Sequence, residues 1–183
     1  MLAPERVIHM AKITISYRRD DSMDITGRIF DRLISRYGRE TVFRDIDSIP
    51  PGLDFREHIQ ASIEDSDVLM VVTPGGAETK NLVNSKVLDA LGPEGYVCNI
   101  ARGSVIDEPV LLRYLQEKKI AGAGLDVFVD EPKVPAEFFK LENAVLFPHV
   151  GSATLETRKA MGDLQIENLR LHFSGKPVKT RVV

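Results

Sequence analysis

A chain of 183 residues, 43% hydrophobic and 28% charged, has the composition of a soluble globular domain large enough to bury a core of its own. Its formal net charge of −3 gives no electrostatic reason to expect nucleic acid or an anionic membrane as a partner, and its single cysteine, Cys98, excludes an intrachain disulfide. No apolar stretch approaches the roughly 18 residues of a membrane span. Residues 1–11 read as a leader without the continuous apolar run of a signal peptide, which leads to the expectation of a cytoplasmic protein.

Taken in order, the alternating, β-branched run KITISY (12–17) reads as a first strand. RRDDSMD follows, then a helix with Ile25, Ile29 and Leu33 along one face, ended by Gly38. TVF (41–43) reads as a second strand, and RDIDSIPPG is a loop punctuated by prolines and a glycine. Asp54 opens a further helix, with Glu57 placed for a capping box and Phe55, Ile59 and Ile63 as its buried stripe. Asp67 to Thr73 is a third strand, apolar on both faces as a central parallel strand should be.

Asn84 caps the helix SKVLDAL, and GPEG turns the chain into a fourth strand, Tyr96 to Ile100. Asp107 opens an amphipathic helix carrying Val110, Leu111, Tyr114 and Leu115. Ala121 to Phe128 and Ala144 to Phe147 complete the strands, separated by a loop with Pro132, Pro135 and the short helical piece EFF. Ser152 or Thr154 starts a final helix with Met161, Leu164 and Leu171 on one face, stopped by Gly175 and Pro177. That face is expected to pack as ordinary core, with a homodimer contact as the alternative.

The alternation of strands and helices predicts a doubly wound α/β fold of flavodoxin-like or Rossmann-like kind. About six mainly parallel strands with helices on both faces would form a single merged domain. The last three apolar runs are each followed within three residues by a chemically capable side chain: Arg102, Glu131 and His149. Neighbouring parallel strands lie about 4.8 Å apart and end on the same side, so these groups are expected to converge. A guanidinium can hold a carboxylate with two parallel hydrogen bonds. A carboxylate on one nitrogen of an imidazole leaves the other to move a proton. The set suits reduction of a small 2-oxo acid or oxidation of a 2-hydroxy acid, and the hydride must come from a nicotinamide cofactor, NAD(H) or NADP(H).

The motifs TPGGAETKNLVN, NIARGSVIDE, GAGLDVFVDEP and FPHVGSAT, in this order and spacing, resemble D-isomer-specific 2-hydroxyacid dehydrogenases, in particular the glyoxylate/hydroxypyruvate reductase branch. The resemblance implies that Arg102, Glu131 and His149 are the catalytic set. It implies that Asp126 contacts the nicotinamide end, and that Thr73, Ala101, Gly151 and Ser152 are the other cofactor-binding positions. ISYRRDDS, VFRDIDSIPPGLDFREHI and SDVLMVV, in contrast, resemble the front half of a bacterial TIR domain. This divides the chain into a TIR-like half (12–73) and a dehydrogenase-like half (74–183), joined within DVLMVVT. Strands in the order two-one-three would continue into the remaining three. TIR-type self-association, NAD hydrolysis through Glu78, or a chimera without selected function are the alternative readings.

A dinucleotide site wants glycines after the first strand, where the backbone must approach a pyrophosphate. The position reads SYRRDDSMD, with bulky Tyr17, Arg18 and Arg19 and the anionic Asp20, Asp21 and Asp24. Cofactor affinity is therefore expected to be weak, and turnover absent or very slow. Gly122 and Gly124 mimic the fingerprint but fall in a strand, and Asp45 and Asp47 read as a solvated loop. Cys98 reads as a small buried hydrophobe, and His9, His58 and His172 fit no metal-ligand pattern.

Overall fold

The structure, a computed structural model, describes residues 12–17, 19–44 and 62–181, with only the backbone course given for 19–25 and 44. The chain forms two compact units, Met1–His149 and Val150–Val183.

The first unit is built on a six-stranded sheet, all of whose pairings are parallel. Its strands are β1 (Ile13–Ser16), β2 (Val42–Arg44), β3 (Val68–Val71), β4 (Tyr96–Asn99), β5 (Gly122–Leu125) and β6 (Ala144–Leu146). Their order is β2-β1-β3-β4-β5-β6, the two-one-three start and continuous extension expected from the sequence. The direction of winding reverses between β1 and β3, and at such a switch point the carboxyl edge of a sheet opens into a crevice.

Alternation along the strands separates two cores. The register sets Ile13 against Val68, and Ile15 against Met70. These four residues share one face with α1 (Arg19–Tyr37), through Phe30, Ile29 and Leu33. Leu69 and Val71 point the other way, in line with Val97 and Asn99 of β4 and with Ala123 and Leu125 of β5. This second face is covered by α2 (Ser85–Leu91) and α3 (Glu108–Gln116), through Leu88, Leu91, Leu111, Tyr114 and Leu115. β3 therefore serves both cores, which is why its sequence is apolar throughout rather than alternating.

Local chemistry sets the helix ends. The Asn84 side chain accepts from the Lys86 amide and starts α2, while Gly92, at φ 74°, ends it. Asp107 accepts from the Val110 amide and starts α3, with Pro109 in the first turn. α1 begins at Arg19, only two residues beyond Tyr17. It takes in the RDDSMD run that sequence places ahead of the helix, because no glycine or proline interrupts that run. The capping box at Asp54 and Glu57, the PPG loop, and Asp45 and Asp47 lie outside the described residues. Ile63, in the helical turn at 62–64, is buried as expected.

The second unit is dominated by α4 (Leu155–Phe173), whose N-cap is Thr154, accepting from the Thr157 amide. Here the structure corrects the expectation of a core-packed face, since no residue of α4 is buried. Leu155, Met161, Leu164, Ile166, Leu169 and Phe173 are all exposed, and they spread around the helix instead of forming one stripe. No helix among the described residues is long and apolar enough to cross a membrane.

Burial separates residues that sequence alone would rank together. Leu88 is fully buried between α2 and its neighbours, whereas Leu82 is 44% exposed. Leu88→Ala is expected to lower unfolding free energy by about 2–5 kcal/mol. Leu82→Ala should change it by less than about 0.5 kcal/mol. Chemical denaturation of the two variants measures the difference; equal losses would contradict the packing described.

Candidate active site

The site lies at the carboxyl edge of β4, β5 and β6, where the chain leaves three adjacent strands. After β4, a tight turn is held by Asn99, which is 1% exposed. Its Oδ1 accepts from the Ala101 amide and its Nδ2 donates to the Arg102 carbonyl, both at 3.0 Å. With these two bonds the Asn99 side chain fixes the backbone on either side of Arg102. The Arg102 side chain is exposed and donates through Nη1 to the Ala101 carbonyl at 2.6 Å. Among the described residues it pairs with no carboxylate, so its remaining donors stay open to an anionic ligand.

Two glycines let neighbouring segments close on this turn. A Cβ at Gly75, in the PGG segment after β3, would lie 2.9 Å from Arg102 Cγ. A Cβ at Gly103 would lie 2.0 Å from the carbonyl carbon of Phe128, so the turn after β4 and the chain after β5 meet backbone to backbone. The 81–83 segment adds an isolated parallel bridge, Val83 to Ile106, and the Asn81 amide donates to the Ser104 carbonyl.

After β5 the chain passes through buried Asp126 and Val127 to Phe128, whose ring packs edge-on against Phe138 at 5.8 Å. Glu131 then turns back on its own segment, with Oε1 accepting from the Phe128 amide at 2.9 Å. Its Oε2 meets Nδ1 of His149 at 2.7 Å. His149 follows β6 and adopts φ 55°, a left-handed conformation uncommon outside glycine. The hydrogen bond from His149 holds the Glu131 carboxyl below its usual range. Burial opposes it and is the next largest influence, while the Phe128 amide and the charges of His149 and Arg102 act in the same direction as the hydrogen bond. An ionised carboxylate only accepts, so Nδ1 carries the proton in this pair. Nε2 has no partner among the described residues.

Arg102, Glu131 and His149 are thus brought to one edge, as the sequence spacing predicts. The other positions differ in character. Asp126 is 6% exposed and closes β5, its amide donating to the Asn99 carbonyl. Thr73 is buried, its hydroxyl 3.2 Å from Ser16 Oγ across the β1/β3 switch point. The Ala101 amide is taken up by Asn99, as described. Gly151 and Ser152 belong to the second unit, exposed in the turn ahead of α4. Glu78 lies in a short 3-10 turn, Ala77–Thr79, after β3. Cys98 is partly buried, and burial, followed by the Asp126 charge, raises its thiol pKa, the behaviour of an inert packing residue. Sequence reasoning passed over Asn99, Gly75, Gly103 and Glu108, whose roles lie in contacts between segments far apart in the chain.

The chain matches the family described as D-isomer specific 2-hydroxyacid dehydrogenase, NAD binding domain, over residues 39–151. It belongs to that family. It is 56% identical over 118 residues to hydroxyphenylpyruvate reductase of Plectranthus scutellarioides, an alignment covering 64% of this chain and 38% of the relative. Against 2-ketogluconate reductase of Gluconobacter oxydans it is 40% identical over 158 residues, 86% of this chain and 51% of the relative. The fold superposes with a TM-score of 0.82 on an NADPH-dependent glyoxylate/hydroxypyruvate reductase from Sinorhizobium meliloti, solved with NADP and malonate. That pair shares 36% identity over 96% of this chain and 54% of the other. The chain therefore spans about half the length of this dehydrogenase.

These matches give no support to a TIR domain or a chimera. The family match begins at residue 39, inside the stretch whose motifs resemble a TIR domain.

The residues fit the reacting end of a nicotinamide dinucleotide. At the carboxyl edge of β4 to β6, the open Arg102, the buried Asp126 and the Glu131–His149 pair suit the reacting end. Between Ile13 and Thr26 there is no glycine to admit a pyrophosphate.

The lowered pKa of Glu131 sets a pH window. A carboxyl that titrates below its unfolded range stabilises the fold above that range, and the contribution disappears as pH falls through the folded value. Amide-exchange protection at Phe128 is therefore expected to hold from neutral pH down to the ordinary carboxylate range and to drop only below it. In Glu131→Gln that acid-side drop should vanish. Exchange measured by NMR across this range tests both, and an acid-side drop that persists in the variant would contradict them.

Proposed function

We propose that this chain carries the reacting end of a D-2-hydroxyacid dehydrogenase site, for NAD(P)H-dependent reduction of a small 2-oxo acid such as glyoxylate or hydroxypyruvate. The observation that carries the reading is the 2.7 Å bond from His149 Nδ1 to Glu131, beside an arginine with donors to spare. Arg102 holds the substrate carboxylate through its guanidinium fork, and so fixes where the adjacent carbonyl lies. Glu131 orients the His149 ring by accepting from Nδ1–H, leaving Nε2 to donate, in the imidazolium, to the oxygen of that carbonyl. A bound dihydronicotinamide supplies the hydride. As negative charge develops on the oxygen, His149 delivers the Nε2 proton; in the oxidative direction the neutral Nε2 accepts it from the hydroxyl.

The reading extends to a weak cofactor site, because the stretch after β1 has no glycine cradle. The S. meliloti glyoxylate/hydroxypyruvate reductase supports the substrate class, and its bound NADP supports NADP alongside NAD. Self-association through the exposed apolar residues of α4 is a further expectation of the same reading. A TIR-type interaction module would rest on motifs in the first third alone, and no contact or geometry favours it.

Calorimetric titration with NADH and NADPH, followed by turnover of glyoxylate and hydroxypyruvate at saturating cofactor, tests the proposal. Binding weaker than micromolar and very slow turnover are expected. His149→Ala should lower that turnover by at least about 100-fold. Arg102→Lys should chiefly raise KM for the 2-oxo acid. Turnover that survives in His149→Ala, or none at saturating cofactor, would sink the assignment. Tight cofactor binding would sink the weakened-cradle part alone.

A further inference from the structure

Glu131 can orient His149 only if its own segment is held, and that segment has few anchors of its own. Phe128 is buried against Phe138, but the next side chain, Val129, is 55% exposed and grips nothing. Beyond it the chain makes a tight turn, in which the Lys133 amide donates to the Asp130 carbonyl at 2.7 Å. Between the buried ring and this turn, beside the backbone packing against Gly103, one hydrogen bond among the described residues ties the segment to a different element. The Val129 amide donates to Oε2 of Glu108 at 2.9 Å. Glu108 is the first residue of α3, directly after the Asp107 cap, where a carboxylate also suits the positive end of the helix. Two consecutive amides, Phe128 and Val129, are thus held by two carboxylates, Glu131 and Glu108. A small half-open pocket of about 10 Å³, room for one water at most, is bordered by Glu108, Gly103 and Val127.

Resting on the dehydrogenase reading above, we infer that Glu108 is a positioning residue for the reaction: by clamping the Val129 amide to the start of α3, it sets Glu131 where it can orient His149. The path runs from the rigid helix end through the Val129 backbone to Glu131, and from its carboxylate to the imidazole. It reaches Arg102 only through the packing of Gly103 against the Phe128–Val129 backbone, so proton transfer should respond to a change at Glu108 more than substrate binding does.

Three variants of the full chain separate this contact from a general effect of charge on α3. Glu108→Asp keeps the negative charge at the helix start but is one methylene too short to reach Val129. Glu108→Gln loses the charge but keeps an acceptor oxygen at full reach. Glu108→Ala loses both. Two readouts do not require turnover: amide exchange at Val129, and the ring ¹⁵N–¹H signal of His149 Nδ1–H, identified by its absence in His149→Ala. In Glu108→Asp and Glu108→Ala, Val129 exchange is expected to quicken about tenfold and the Nδ1–H signal to shift and broaden. Glu108→Gln should stay close to the parent in both. Where turnover is measurable, kcat should fall about three- to tenfold in the Asp and Ala variants with KM for the 2-oxo acid unchanged, and recover in the Gln variant.

Unchanged Val129 exchange and His149 signal in Glu108→Asp would overturn the inference, as would a Glu108→Gln variant no better than Glu108→Asp. If Glu108→Ala fails to fold, the contrast between the Asp and Gln variants still decides. Absence of turnover in the parent chain would count against the dehydrogenase reading while leaving the two spectroscopic readouts in force. Turnover that persists with an undisturbed His149 signal in the Asp variant would count against Glu108 alone.

Discussion

Both oxygens of one carboxylate are engaged at the carboxyl edge of this sheet, and the geometry of the site depends on that. Glu131 takes an amide of its own segment on Oε1 and an imidazole from the next strand's loop on Oε2. It thereby joins the chain that leaves β5 to the chain that leaves β6. Such a bridge requires parallel neighbours ending on the same side, which is what successive β-α units provide. The interaction also explains the charge state of the pair. A carboxylate that accepts two hydrogen bonds and lies in the field of an arginine stays ionised, and an ionised carboxylate leaves no choice about which imidazole nitrogen carries the proton.

The positioning of the other members comes from backbone contact more than from side-chain packing. Asn99 satisfies an amide and a carbonyl on either side of Arg102, the carbonyl also accepting from the Val105 amide, and so holds the turn at the end of β4. Gly103 admits the Phe128 carbonyl to a distance that any side chain would forbid, and Gly75 makes room for the stem of Arg102. These contacts bring the segments after β3, β4 and β5 into one cluster.

The chemistry is distributed unevenly along the sheet. From β4 to β6 the carboxyl edge carries an open guanidinium, a buried aspartate and a coupled acid–base pair, all within motifs of the 2-hydroxyacid dehydrogenase family. On the other side of the switch point, β1 runs into α1 across two residues with no glycine, while the strand order and register remain those of a dinucleotide-binding sheet. Fold and site are therefore separable here. The sheet needs only apolar strands and helices of suitable length, and forms with a front third that has no glycine directly after β1.

Much of the fold was legible in the sequence, because strand and helix periodicity and the caps at Asn84 and Asp107 act locally. The continuous apolar character of β3 announced a central strand, and the spacing after three strands was enough to bring Arg102, Glu131 and His149 to one edge. Periodicity misled at α4, whose apparent apolar face buries nothing in its own unit, since a spacing of three or four residues says where side chains point but not whether anything covers them. Local motif matching also favoured a TIR domain in the first third, where short apolar strands and a proline-glycine loop are common to many doubly wound folds. The contacts of Asn99, Gly103 and Glu108 were decided only by tertiary structure. Each joins groups whose meeting depends on the register of parallel strands and the angle of a helix, and neither quantity is written in the residues on either side.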